Sequence, residues 1–240
     1  MSKKIIAIGG GEIKNKTTLK IDEYIVNLAK QHAGDKRAVG LFIGTASHDS
    51  MPYFNSFRKT YTSVFDIKAD VALTVYGEMD LAHIKEKFDK ADMLYIGGGD
   101  TKFMLEHWKT SGIYDLVIDA YERGVIIAGL SAGAICWFKD MYSDYDLMRN
   151  QASGEYKILD GIGVIEGVCS PHYNERILDY HDAFKNKGLT FGYGIENDCA
   201  LEFTDGKLTN VISSGGKAYI IKNENGDVVR KEITKDSFDE

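Results

Sequence analysis

The chain has 240 residues, 44% of them hydrophobic, and a formal net charge of -7. Such a composition builds a globular protein with a sizeable core and excludes a disordered chain. The acidic balance, with no basic block, excludes a general nucleic-acid binder, and no apolar run nears the roughly 18 residues of a membrane span.

In chain order, Lys4 to Ile8 reads as a short buried strand running into Gly9-Gly10-Gly11-Glu12. The basic start Met1-Ser2-Lys3-Lys4 precedes an apolar run too short for a signal peptide. Leu19, Ile21, Tyr24, Ile25, Leu28 and Ala29 recur at helical spacing within Thr17 to His32. A second strand, Ala38 to Ile43, ends in Gly44-Thr45-Ala46-Ser47-His48, and Pro52 suits the first turn of a helix reaching about Phe65. Ala69 to Val75 is the third strand, and Asp80 can cap a helix over Leu81, Ile84 and Phe88. Ala91 to Ile96 is the fourth strand, followed by Gly97-Gly98-Gly99-Asp100-Thr101 and helices over Lys102 to Trp108 and Tyr114 to Tyr121. Val125-Ile126-Ile127-Ala128-Gly129 is the fifth strand, and Ala132 to Phe138 reads as the start of a buried helix. This alternation predicts an α/β fold, a mostly parallel doubly wound sheet with helices on both faces.

The second half changes character. Strand-like runs lie around Ile162 to Ile165 and Val168-Cys169, and Asn174 to Lys185 looks helical. Thr190 to Ile195, Cys199 to Phe203, Leu208 to Ser213 and Ala218 to Ile221 are short strands, with hairpin signals at Asp205-Gly206 and Asn225-Gly226. An antiparallel strand appendage therefore ends the sheet. No linker or repeat divides the chain, so residues 1–240 read as one domain whose charged tail, from about Lys231, frays. The three cysteines form no C-x-x-C pair, which fits reduced thiols in a cytoplasmic protein.

Chemistry concentrates at the fifth strand's end. Gly129-Leu130-Ser131-Ala132-Gly133 matches the nucleophile elbow, G-x-S-x-G. A sharp strand-to-helix turn strains the central residue and exposes its side chain, and the first helical amides face the place where an oxyanion would form. Gly97-Gly98-Gly99 offers further unencumbered amides, while none of the glycine-rich turns fits a nucleotide-binding motif. Among six histidines, His172 stands out, directly after an apolar strand in Ser170-Pro171-His172-Tyr173-Asn174-Glu175; the others fall on helices or loops and look solvated. A base beside the nucleophile needs a third group to orient it. Candidates lie in Gly194-Ile195-Glu196-Asn197-Asp198-Cys199-Ala200-Leu201, with Asp144 and Asp146 as further acids after the elbow.

These four segments, in this order, resemble the peptidase E family, serine peptidases related to cyanophycinases with a fold similar to class I glutamine amidotransferases. The likeness runs from the first strand to about Tyr219. It implies hydrolysis of dipeptides with an N-terminal aspartate, with Ser131 as nucleophile, His172 as base, and an oxyanion hole from the amides of Ala132 and of Gly98 or Gly99. Members often read Asp-Glu-x-x-Ala-Leu, the second acid orienting the histidine. That place falls here on Asn197, with Glu196 one residue earlier, so either is a candidate orienter. A neutral amide would stabilise the imidazolium less than a carboxylate does. Arg176 is the candidate cation for an aspartyl substrate. The resemblance implies no metal and no cofactor, a small peptide substrate, no nucleic-acid or membrane partner, and a monomer or homodimer. A cyanophycinase-like amide hydrolase, or a low-activity binding or sensing module on the same scaffold, are the alternatives.

Overall fold

A computed structural model describes residues 2–77, 79–150 and 153–238. The parallel part of its first sheet comprises β1 (Lys4–Ile8), β2 (Val39–Ile43), β3 (Lys68–Ala72), β4 (Met93–Ile96) and β5 (Ile126–Leu130). Two later strands, β10 (Cys199–Thr204) and β11 (Lys207–Ser213), extend it, and β10 runs antiparallel both to β1 and to β11. The seven strands lie in the order β11-β10-β1-β5-β4-β2-β3. Every residue of β4 and β5 is buried, as continuous apolar runs in a doubly covered parallel sheet require.

Helices cover both faces. On one side α1 (Leu19–Ala33) and α2 (Met51–Ser63) bury Ile21, Ile25, Val26, Phe54, Phe57 and Tyr61. On the other, α3 (Leu81–Lys90), α4 (Thr101–Ser111) and α5 (Ile113–Glu122) bury Ile84, Phe88, Met104, Trp108 and Val117. Local signals set the helix starts. Asp80 and Asp100 accept hydrogen bonds from the amides of His83 (2.7 Å) and Phe103 (2.9 Å), satisfying donors that a helix leaves orphaned, and Pro52 sits in the first turn of α2.

The predicted α/β class holds, and the second half adds a second sheet rather than only a sheet edge. Its members are β6 (Phe138–Ser143), β7 (Lys157–Asp160), β8 (Ile165–Ser170), β9 (Phe191–Ile195), β12 (Ala218–Glu224) and β13 (Asp227–Glu232). They run in the order β13-β12-β9-β8-β6-β7. The helix expected from Ala132 is a single turn, α6 (Ala132–Ile135), after which the chain re-enters a strand at Phe138. The short α7 (Tyr145–Arg149) follows β6, and α8 (Tyr173–Asn186) packs against the second sheet. The tail expected to fray from about 231 buries Ile233, and a 3-10 turn, Lys235–Phe238, brings Phe238 against the core. The two sheets share one apolar core: Phe203 of β10 meets Phe138 and Tyr193 edge-on, each with ring centroids 5.4 Å apart. That seam matters because β5 of the first sheet, β8 of the second, and the turn from β9 to β10 all end beside it.

Candidate active site

Ser131 follows β5 with φ 51° and ψ -107°, the sparsely populated conformation anticipated from the elbow pattern. The flanking glycines are required by close approach. A Cβ on Gly129 would collide with the carbonyl of Gly133, and one on Gly133 with the carbonyl of Ile96. His172 caps α8 in a left-handed conformation, φ 48° and ψ 38°, which turns its ring back across the seam. Asn197 lies in the turn that carries the chain from β9 to β10.

The end of β1 ties these three segments together. Three successive carbonyls, those of Ile8, Gly9 and Gly10, accept hydrogen bonds from the amides of Ser131 (2.9 Å), His172 (2.9 Å) and Asp198 (3.0 Å). The side chains then form a line. His172 Nε2 lies 2.9 Å from Ser131 Oγ, and His172 Nδ1 lies 2.6 Å from Asn197 Oδ1. Asn197 Nδ2 donates in turn to Glu175 Oε1 at 2.6 Å. Because a carboxylate only accepts, Nδ2 must face Glu175 and Oδ1 must face His172. The imidazole therefore carries its proton on Nδ1 and presents a bare Nε2 to the serine hydroxyl. Burial holds the His172 pKa below the usual imidazole value, and the Arg176 guanidinium adds to that; Asn197, Glu175 and Asp144 act the other way. The ring is thus neutral at neutral pH and able to take a proton.

Of the candidate oxyanion donors, the amides of Ala132 and Gly99 have no protein acceptor among the described residues, whereas the Gly98 amide faces the Tyr53 hydroxyl at 3.4 Å. Glu196 is not beside His172: its carboxylate accepts from the amide of Lys217 at 2.9 Å. Asp144 pairs with Arg176 at 2.7 Å and Asp146 accepts from the Glu155 amide at 3.1 Å, so neither touches the imidazole. Arg176 is only 5% exposed, stacks its guanidinium on Tyr156, and does not line the cleft. The histidines read as solvated divide: His48 and His83 are exposed, but His32, His107 and His181 hydrogen-bond to Asp92, the Thr74 carbonyl and Tyr173. Burial pushes the thiols of Cys136, Cys169 and Cys199 up, which leaves no rival thiolate nucleophile among them.

Ser131 and His172 open into a cleft of about 530 Å³ whose walls include Glu12, Ile13, Lys14, Tyr53, Ser56 and Leu130. No motif in the sequence singles out the Glu12–Lys14 wall, Gly10 or Glu175. The available signal is the run Gly9-Gly10-Gly11-Glu12, which reads equally as an ordinary turn. Among the described residues, no group of three His, Cys, Asp or Glu side chains is disposed to hold a metal, and no helix is long and apolar enough to cross a membrane.

The family model for Peptidase family S51 matches residues 5–211. An uncharacterized peptidase of Bacillus subtilis (strain 168), YgaJ, is 33% identical over 223 residues, covering 90% of this chain and 91% of that protein. A crystal structure of a peptidase from an acI-B1 Actinobacterium superposes with a TM-score of 0.70 at 17% identity, covering 98% of this chain and 97% of that one. A putative peptidase E protein from Listeria monocytogenes EGD-e gives a TM-score of 0.55 at 17% identity, covering 98% of this chain and all of that one. At such identities the two structures speak to the fold.

Proposed function

The chain belongs to peptidase family S51, and from that membership we propose that it cleaves small peptides through a serine acyl-enzyme, with Ser131 as nucleophile, His172 as general base and Asn197 as the orienting group. One observation carries the reading: the hydrogen-bonded line from Ser131 through His172 to Asn197 on the wall of an open cleft. In the first step His172 Nε2 takes the hydroxyl proton as Ser131 Oγ bonds to the scissile carbonyl carbon. The carbonyl oxygen becomes an oxyanion, which the amides of Ala132 and Gly99 receive. His172 then returns the proton to the departing amine, the C–N bond breaks, and an ester to Ser131 remains. Water, deprotonated by the same ring, hydrolyses that ester and restores the hydroxyl.

The cleft walls favour a small zwitterionic substrate. Glu12 and Lys14 present both signs of charge to the cavity. An adjoining recess of about 190 Å³ shares Lys14 and Ser56 with it and adds Lys16 and Lys59, so an acidic side chain on the peptide would meet cations there. These features support an Asp-containing dipeptide, with Lys14 rather than the buried Arg176 as its cation.

Ser131→Ala tests the assignment. Turnover of Asp-X dipeptides and of a reactive p-nitrophenyl ester should fall by roughly 10^4 to 10^6. The melting temperature should hardly move, since one half-buried hydroxyl is lost. Retained turnover in the alanine variant would remove Ser131 from the chemistry.

A further inference from the structure

A neutral amide in third place looks like a weakness, because it brings no charge to the imidazolium that forms during turnover. The charge is present one bond further out. Glu175 stands three residues after His172, at the third position of α8, and its amide donates to the His172 carbonyl at 2.9 Å. An acid there suits the positive end of the helix dipole. Its side chain leaves the helix toward the β9–β10 turn and accepts from Asn197 Nδ2 at 2.6 Å, while Asn174 Oδ1 accepts from the Asn197 backbone amide at 3.0 Å. The first turn of α8 thus holds Asn197 from two sides.

We propose that Glu175 is the positioning residue of this site: it locks the Asn197 amide with its oxygen toward His172 and supplies, through that polarised amide, the negative charge that the third member lacks. The proposal rests on the serine-peptidase reading of the Ser131 site. The physical argument has two parts. An asparagine side chain is nearly symmetric in shape, so without a fixed partner it can turn over and offer N–H to Nδ1. That turn would put the imidazole proton on Nε2, facing Ser131, where it blocks general-base action. A carboxylate that can only accept removes this alternative. Donation to a carboxylate also draws electron density onto the amide oxygen and strengthens its bond to the imidazole N–H.

The charges that face His172 are Arg176 and Glu175 on its own helix and Asp144 from the loop after β6. Arg176 and Asp144 are paired with each other, so Glu175 is the acid whose charge reaches the ring by way of Asn197.

The test uses Glu175→Gln and Glu175→Ala in the full chain, with two readouts. Imidazole nitrogen NMR reports the His172 tautomer and its titration whether or not a substrate is known. In both variants the titration midpoint should fall, since a negative charge is lost. The Nδ1–H tautomer should lose population most in the alanine variant. Kinetically, kcat on a reactive ester should fall about tenfold in Glu175→Ala, the worth of one charge-assisted hydrogen bond, with KM unchanged and less loss in Glu175→Gln. The acid limb of kcat/KM should move to lower pH in step with the NMR midpoint. An unchanged tautomer and midpoint in both variants would overturn the proposal. A wild-type protein that turns over no peptide or ester would sink the peptidase reading instead, while the NMR arm would still decide the role of Glu175.

Discussion

Asn197 shows how far one residue's chemistry depends on its neighbour. From its position alone, an amide where the peptidase E pattern it resembles often has an acid reads as a loss, and introducing the acid reads as a gain. The contact with Glu175 reverses that expectation. In Asn197→Asp the second carboxylate oxygen would fall where Nδ2 now donates, 2.6 Å from Glu175 Oε1. Two carboxylates that close cannot both ionise, so one takes up a proton or the pair separates. The single variant should therefore turn over substrate more slowly than the native protein. When Asn197→Asp is combined with Glu175→Gln, the introduced glutamine amide can donate to the new carboxylate. Turnover should then exceed that of Asn197→Asp alone by roughly tenfold, the worth of a restored charge-assisted hydrogen bond. Steady-state rates on a reactive ester for the two singles and the double decide it. A double variant no faster than Asn197→Asp would mean that the two side chains act independently.

At the scale of elements, the end of β1 is the organising feature. Its glycine run brings the carbonyls of Ile8, Gly9 and Gly10 within reach of segments from both sheets, and only bare backbone fits between them. Gly10 has an ordinary backbone conformation, but a Cβ there would collide with Asn197 Oδ1 and His172 Nδ1. Gly10→Ala should accordingly fold and yet lower kcat about 100-fold, the usual result of moving a catalytic group by an ångström. Circular dichroism and ester kinetics on that variant check both halves, and near-native turnover would show that the His172–Asn197 bond has more room than the structure gives it. Much of this element logic was legible in the sequence. Gly129-Leu130-Ser131-Ala132-Gly133 announced a strained turn because an all-buried strand leads into it, and counting back from Ala200-Leu201 found Asn197. β6 was not legible, because Phe138-Lys139-Asp140-Met141-Tyr142-Ser143 lacks the strict alternation of a strand and follows directly on an apolar run, Ala132 to Phe138, that reads as helix. Glu175 and Gly10 were invisible for another reason. Their roles arise where a helix start, a strand end and a turn converge, and no local pattern encodes that convergence.

Across the whole molecule, the seam between the sheets gathers the site, and the first sheet's α1–α2 face carries an electrostatic strain beside it. Asp22 of α1 is fully buried, and no cation pairs with it among the described residues. It accepts from Thr18 Oγ1 (2.9 Å) and from the Tyr61 hydroxyl (2.7 Å). Burial, the dominant cause, raises its pKa from 3.8 to about 6, and the two hydrogen bonds only partly offset that. The sign follows from linkage. A carboxyl with a raised folded pKa favours the fold when protonated, so its contribution is fully present below pH 3.8, fades as pH climbs to about 6, and above that leaves a buried carboxylate that weakens the fold. Two pKa units correspond to a difference on the order of 3 kcal/mol between the two ends of that window. Asp22→Asn removes the titration and keeps both contacts, since its oxygen can accept from Tyr61 while its amide donates to Thr18. Urea unfolding at pH 4.5, 6 and 8 should show the variant more stable than the native chain at pH 8, by on the order of 2 kcal/mol, with the gap closing toward pH 4.5. Ester turnover should be unchanged, because Asp22 lies outside the cleft lining. A gap that stays constant from pH 4.5 to 8 would mean that Asp22 keeps an ordinary carboxylate pKa in the folded chain, and that the strain on this face has another source.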